Sequence, residues 1–106
     1  PASPGVASGK VRILLDPARI AEVQPGDILV TAVTNPDYVP AMKRAAAIVT
    51  DAGGRTSHAA IVSRELGIPC VISATDATRR IPHGARVRVD GSSGLVTILE
   101  DVPSTT

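Results

Sequence analysis

The chain has 106 residues and a mass of 10.8 kDa, enough for one domain with a modest core and no room for a second. Eleven basic against ten acidic residues leave a formal charge of +1, and Tyr38 is the sole aromatic residue. That combination excludes an electrostatic nucleic-acid surface and a base-stacking platform. Cys70 alone cannot form an internal disulfide and suits a reducing compartment. No apolar run approaches the length of a membrane span and the start is not signal-like, so a cytoplasmic domain is expected. The opening on Pro1 rather than Met raises the expectation of a piece excised from a longer polypeptide. Val and Ile together outnumber Leu by 22 to 6, which favours buried strands covered by helices of small residues.

After the turn-rich start Ala2-Ser3-Pro4-Gly5, residues 9–15 read as a strand that Asp16-Pro17 breaks. Residues 18–23 form a weak helical turn, and Gln24-Pro25-Gly26-Asp27 a tight turn. Residues 28–32 are almost wholly apolar, the pattern of a strand buried on both faces. Thr34-Asn35-Pro36-Asp37 carries the signals of a helix start, a capping residue followed by proline and an early acid, with the helix running to about Ala46. Pro40 is tolerated there only within a first turn. A third strand spans 47–50. A loop and a helix over 57–66 follow, closed by Gly67 with Pro69 just beyond. Residues 68–73 read as the next strand. Residues 85–89 and 95–99 pair as a hairpin through Asp90-Gly91-Ser92-Ser93-Gly94. The whole is a parallel βαβαβ core with antiparallel strands flanking it from both ends. The domain takes in residues 1–100, and 101–106 form a frayed tail or linker.

The densest cluster of special residues is Gly53-Gly54-Arg55-Thr56-Ser57-His58-Ala59-Ala60, beyond the carboxyl end of a buried strand, where open α/β sheets commonly place their sites. Two glycines let a ligand approach the backbone, and Thr56 or Ser57 can cap the helix. The remaining amides of the first turn and the helix dipole make a place for a phosphate, and Arg55 adds a forked cation. His58 falls in that first turn at the border of the inward stripe Ala59, Val62 and Leu66, reachable from outside. A ring nitrogen there can act as a nucleophile, and the positive helix end stabilises a phosphoryl group once attached.

Other constellations carry less. Gly5-Val6-Ala7-Ser8-Gly9-Lys10-Val11 is one residue short of a P-loop and reads as a turn into the first strand. Two histidines and one cysteine far apart make no metal site. Asp51 and His58 with Ser57 or Ser63 lack the surroundings of a hydrolase triad. His83 reads as a solvated loop residue, Arg79-Arg80 as a solvated pair, and Cys70 as a small buried hydrophobe.

The run from Gly53 through His58 to Arg64-Glu65-Leu66-Gly67-Ile68-Pro69 resembles the phosphohistidine signature of the PEP-utilising enzymes, most of all the phosphoenolpyruvate synthases. The opening Ala2-Ser3-Pro4-Gly5, the middle Thr34-Asn35-Pro36-Asp37 and Val49-Thr50-Asp51, and the closing Val89-Asp90-Gly91 extend the likeness over nearly the whole chain. One departure is Ile72-Ser73-Ala74, where the family often has glycine. The resemblance implies a three-layer β/β/α swivelling domain in which His58 carries a pyrophosphoryl and then a phosphoryl group. It implies that Gly53, Gly54, Arg55, Thr56 and Ser57 surround the phosphoryl group. Partner domains of the same polypeptide are implied too. One is an ATP-binding domain that loads the histidine, the other a barrel that exchanges the group with pyruvate, with Mg2+ and ATP held there and no cofactor here. Thr56 matches a position that a regulatory kinase/phosphorylase modifies, where added phosphate would fill the anion site. Pyruvate phosphate dikinase, the first enzyme of the sugar phosphotransferase system, and a non-catalytic module of the same fold remain as alternatives.

Overall fold

The computed structural model describes residues 4–32, 34, 36–51, 57–72, 78, 81 and 83–100. In chain order these form β1 (Val6–Ile13), a 3-10 turn (Pro17–Glu22), β2 (Ile28–Thr31), a second 3-10 turn (Pro36–Tyr38), α1 (Val39–Arg44), β3 (Ala47–Thr50), α2 (His58–Leu66), β4 (Cys70–Val71), β5 (Arg86–Asp90) and β6 (Leu95–Glu100). The strands lie in the order β4-β3-β2-β1-β5-β6. β1 to β4 run parallel, and β5 and β6 are antiparallel additions.

Alternation along the strands builds two cores rather than one. Leu14, Leu29, Ile48 and Cys70 point to a helical side, where they meet Tyr38, Ala41, Met42, Ala59 and Ala60. Their neighbours Val11, Ile28, Val30, Ala47, Val49 and Val71 point the other way, onto Val87 and Val89 of β5. The chain is therefore layered β/β/α, and β2 and β3 are fully buried because both faces are covered. Each large side chain so buried contributes roughly 1.5–3 kcal/mol.

β1 joins the two β layers. Its first half, Val6 to Lys10, pairs antiparallel with β5, and its second half, Val11 to Ile13, pairs parallel with β2. The expectation of an antiparallel flanking strand over 9–15 is corrected accordingly: β1 starts earlier and belongs to both layers. Gly9 lies near the change of partner, where a Cβ would collide with the Gly26 carbonyl oxygen and press the Ile28 side chain. A bare backbone is what lets the 24–27 turn close over β1.

The segment after β2 also departs from the sequence reading. One helix from Thr34 to about Ala46 was expected; a 3-10 turn and a six-residue α1 ending at Arg44 stand there instead. Pro40 does sit in the first turn of α1, and the N-cap is Tyr38, beyond the Thr34-Asn35-Pro36-Asp37 run. The strand expected over 68–73 contracts to Cys70–Val71, although the Ile48 N–H still donates to the Pro69 carbonyl at 3.0 Å. His83 is exposed in its turn, yet its Nδ1 accepts from the Ile13 N–H at 3.2 Å and closes the end of β1. The tail 101–106, Arg79-Arg80 and Ser73-Ala74 lie outside the described residues. Among the described residues no helix is long and apolar enough to cross a membrane.

α2 buries Ala59, Ala60 and Ser63, with Val62 and Leu66 half-buried beside them. The expected stripe of Ala59, Val62 and Leu66 is thus turned by about one position, because the smallest side chains face the sheet and let the helix sit close. Ser63 Oγ is fully buried and makes no hydrogen bond of ordinary geometry. The Cys70 thiol, a weak partner, is pushed above its ordinary pKa by burial and only partly pulled back by Ser63 and Arg64. Ser63→Ala is therefore expected to stabilise the domain by about 1 kcal/mol, raising its thermal midpoint by about 4–8 °C. A lower midpoint in calorimetry would show that the hydroxyl is satisfied after all.

Candidate functional site

The site forms at the carboxyl ends of the parallel strands. β3 delivers Asp51, α2 delivers Ser57 and His58, and the link after β2 delivers Thr34. Ser57 takes the extended conformation of an N-cap (φ −69°, ψ 158°), and its Oγ accepts from the Ala60 N–H at 3.4 Å. Ser57, not Thr56, is therefore the cap, which makes His58 the first helical residue. The amides at that end have no acceptor within the helix, so together with the dipole they favour an anion in front of His58. At its other end the helix closes on Gly67 in the left-handed conformation (φ 74°), as its sequence position requires.

Thr34 Oγ1 lies 2.8 Å from His58 Nδ1 across 24 residues of sequence. A hydroxyl can donate or accept. When it accepts from Nδ1–H, the lone pair of the imidazole stands on Nε2, and the ring is oriented by the same bond. His58 is half-buried, so the ring is supported on one side and reachable on the other. Thr34 is the functional residue that the sequence reading missed, placing it only within a helix-start run. Its hydroxyl suits a helix cap as well as a ring partner, and no spacing rule links positions 34 and 58.

Asp51 stands one residue beyond β3. Its N–H donates to the Thr31 carbonyl at 3.1 Å, and both its carboxylate oxygens accept from Thr78, Oδ1 from the N–H at 2.9 Å and Oδ2 from the hydroxyl at 2.6 Å. Gly53, Gly54, Arg55 and Thr56, expected to surround the phosphoryl group, lie outside the described residues.

The family model described as "PEP-utilising enzyme, mobile domain" matches residues 23–94, which include every described residue of this site. The chain belongs to this family. The mobile domain is 64% identical to the phosphoenolpyruvate synthase of Pyrococcus furiosus over 95 residues, which are 90% of this chain and 12% of the relative. It is 58% identical to the phosphoenolpyruvate synthase of Aeropyrum pernix over 97 residues, 91% of this chain and again 12% of the relative. The mobile domain thus spans about one eighth of the length of these curated relatives. Among solved structures, the solution structure of Enzyme I (nEIt) is similar with a TM-score of 0.65 at 32% identity, over 77% of this chain and 34% of that one. Aconitase X of Thermococcus kodakaraensis has a TM-score of 0.66 at 23% identity, over 93% of this chain and 94% of that one, a likeness of fold alone. The β/β/α layering expected from sequence agrees with these neighbours.

Proposed function

We propose that this mobile domain is the phosphoryl carrier of a phosphoenolpyruvate synthase, with His58 Nε2 as the atom that carries the group. The observation that supports it most is the Thr34–His58 pair at the first residue of α2, which engages Nδ1 of a half-buried ring at a helix terminus and, with Thr34 accepting, leaves the lone pair on Nε2. The Nε2 lone pair attacks the β-phosphorus of ATP and AMP departs, leaving a pyrophosphoryl group on the ring. Water then releases inorganic phosphate, and the remaining phosphoryl group passes to the enolate oxygen of pyruvate, restoring His58. Nδ1–H keeps donating to Thr34 Oγ1 while the ring is phosphorylated, which holds the group in one direction. Gly53, Gly54, Arg55, Thr56 and Ser57 surround the group, and Thr56 is the position a regulatory kinase/phosphorylase would modify.

The nucleotide, Mg2+ and pyruvate belong to partner domains of the same polypeptide, an ATP-binding domain and a barrel, between which the mobile domain swings. Relatives some eight times its length leave room for both. Such an enzyme would work in the cytoplasm, where ATP and pyruvate are, and supply phosphoenolpyruvate to gluconeogenesis. The high identity to synthases, against 32% to Enzyme I, favours pyruvate over a sugar-transport relay as the acceptor side.

The test is to incubate the 106-residue chain with ATP labelled at the β-phosphate and a synthase whose own carrier histidine has been replaced. An acid-labile, base-stable label with the phosphorus NMR signature of Nε2-phosphohistidine is expected. Absence of label, with a donor that does load an authentic carrier, would overturn the proposal. In the same assay Thr34→Val, which keeps shape and removes the hydroxyl, is expected to slow labelling by about 10- to 100-fold, and Thr34→Ser to restore most of it. Equal rates for Val and wild type would remove Thr34 from the mechanism.

A further inference from the structure

We propose that β6 is a pairing edge through which two copies of the mobile domain join, antiparallel and about a two-fold axis at Thr97. The contact is independent of the carrier reading. β6 is the last strand in the sheet order, so one side of its backbone pairs with β5 and, among the described residues, no strand pairs with the other. Such an edge offers a row of free N–H and C=O groups, and proteins commonly blunt it with Lys, Pro or a bulge. Residues 95–99 read Leu-Val-Thr-Ile-Leu, with no charge, no proline and no glycine. The shift of register with β5 falls between Arg86 and Val87, at the end far from the hairpin, so Leu95 to Ile98 run regularly. The edge is open.

Burial shows the same strand short of a partner. Ile98 stands opposite Val87 in the ladder, yet Val87 is fully buried and Ile98 is 47% exposed. Leu95 and Leu99 are 62% and 47% exposed beside it. The order of these residues points to what covers them. An antiparallel pair sets residues opposite one another in reversed order, and a two-fold contact requires the strand to match itself. Centred on Thr97, Val96 meets Ile98 of the second copy, Thr97 meets its own counterpart, and Leu95 meets Leu99 at each end. Every facing pair is then aliphatic with aliphatic or threonine with threonine, and such cross-strand pairs stabilise a sheet. Centring on Val96 or Ile98 sets threonine against leucine and shortens the overlap. The strand is therefore complementary to a second copy of itself. α2 covers one side of the parallel strands and β6 belongs to the layer on the other, so pairing leaves His58 open. A single edge falls short of the roughly 800 Å² per partner of a standard interface, which sets a weak dimer with a Kd on the order of 0.1 mM.

Sedimentation equilibrium of the 106-residue chain from about 10 µM to about 1 mM tests the contact, with thermal midpoints measured alongside. The apparent mass is expected to rise from 10.8 kDa toward about twice that value. Thr97→Glu sets two carboxylates face to face across the axis, while Arg88, opposite Thr97 on β5, accommodates the new charge within one copy. Its Kd is expected to rise at least about tenfold at an unchanged midpoint. Thr97→Lys should weaken the pair likewise. An equimolar mixture of Thr97→Glu and Thr97→Lys should associate at least as tightly as the wild type, because the facing charges are then opposite. A wild-type mass that stays at 10.8 kDa at every concentration rejects the pairing. So does a dimer that Thr97→Glu leaves equally tight, or a mixture that stays monomeric. If a variant does not fold, the wild-type amide NMR shifts decide. Concentration-dependent movement centred on Val96, Thr97 and Ile98 supports the contact, and movement elsewhere, or none, rejects it.

Discussion

His58→Ala is expected to abolish labelling from β-labelled ATP completely while leaving the domain folded. No other described group at the site combines a nucleophilic atom with a place at the helix terminus and no other task. Ser57 is spent as the cap, and Asp51 has both oxygens on Thr78. A hydroxyl that took over would give an acid-stable ester, so residual label is distinguishable by its chemistry. The structural cost is small, because His58 is half-buried at the first position of α2 and, among the described residues, its side chain bonds to Thr34. A single exchanged hydrogen bond is worth about 0.5–1.5 kcal/mol, and in a domain of this size 1 kcal/mol moves the midpoint by about 4–8 °C. Undiminished acid-labile label in His58→Ala would move the acceptor elsewhere. Loss of label together with loss of the folded baseline would call for His58→Gln, which keeps a polar group toward Thr34.

Gly9→Ala is expected to destabilise the domain by about 1–3 kcal/mol, the usual cost of forcing extra atoms into a closed space. Local propensity argues for the opposite sign, since glycine within a strand costs roughly 0.5–1 kcal/mol relative to alanine. The close approach decides. The Cβ would meet the Gly26 carbonyl oxygen, a backbone atom that cannot rotate aside. The turn cannot retreat cheaply either. The Gly26 N–H donates to the Arg44 carbonyl at 3.0 Å, and the Ala46 N–H donates to the Asp27 carbonyl at 2.8 Å. Asp27 Oδ2 accepts from the Gln24 N–H at 2.9 Å and pairs with Arg12 Nε at 3.2 Å, while Arg44 donates onward to the Val23 and Ile20 carbonyls. Moving Gly26 would disturb this whole set. Urea denaturation of the two proteins checks the sign, and an alanine variant as stable as the parent would refute the steric argument.

Where sequence and structure agree, the signals were local. The buried strand β3 is a run of β-branched and small residues with no competing pattern. α2 carries its start in Ser57 and its stop in Gly67, both of which act within one turn of where they stand. The hairpin between β5 and β6 is closed by Asp90, whose carboxylate accepts from the Ser92 and Ser93 amides at 3.0 and 3.1 Å. Disagreement appears where a residue serves a distant partner. Thr34 has the chemistry of a cap and stands before Pro36, yet its hydroxyl is taken by a ring 24 residues on, and the helix begins only after the 3-10 turn. β1 was read as one kind of strand because nothing in residues 6–13 marks the place where its partner changes.

The amino-acid sequence by itself determined that this is a small α/β domain with parallel strands, that its chemistry gathers around His58 at a helix start, and that the motif resembles that of the PEP-utilising enzymes. These conclusions rest on side-chain pattern, capping and motif, which act over a few residues and are written in order along the chain. Only the tertiary structure decided that Thr34 faces Nδ1, that Thr78 holds Asp51, that Ser63 is buried with no better partner than the Cys70 thiol and that Gly9 must be bare. Each of those depends on atoms 17 to 27 positions apart, or on a face of packing, being brought within a few ångströms. Such distances follow from how two β layers and a helical layer close on one another, and no local pattern encodes them.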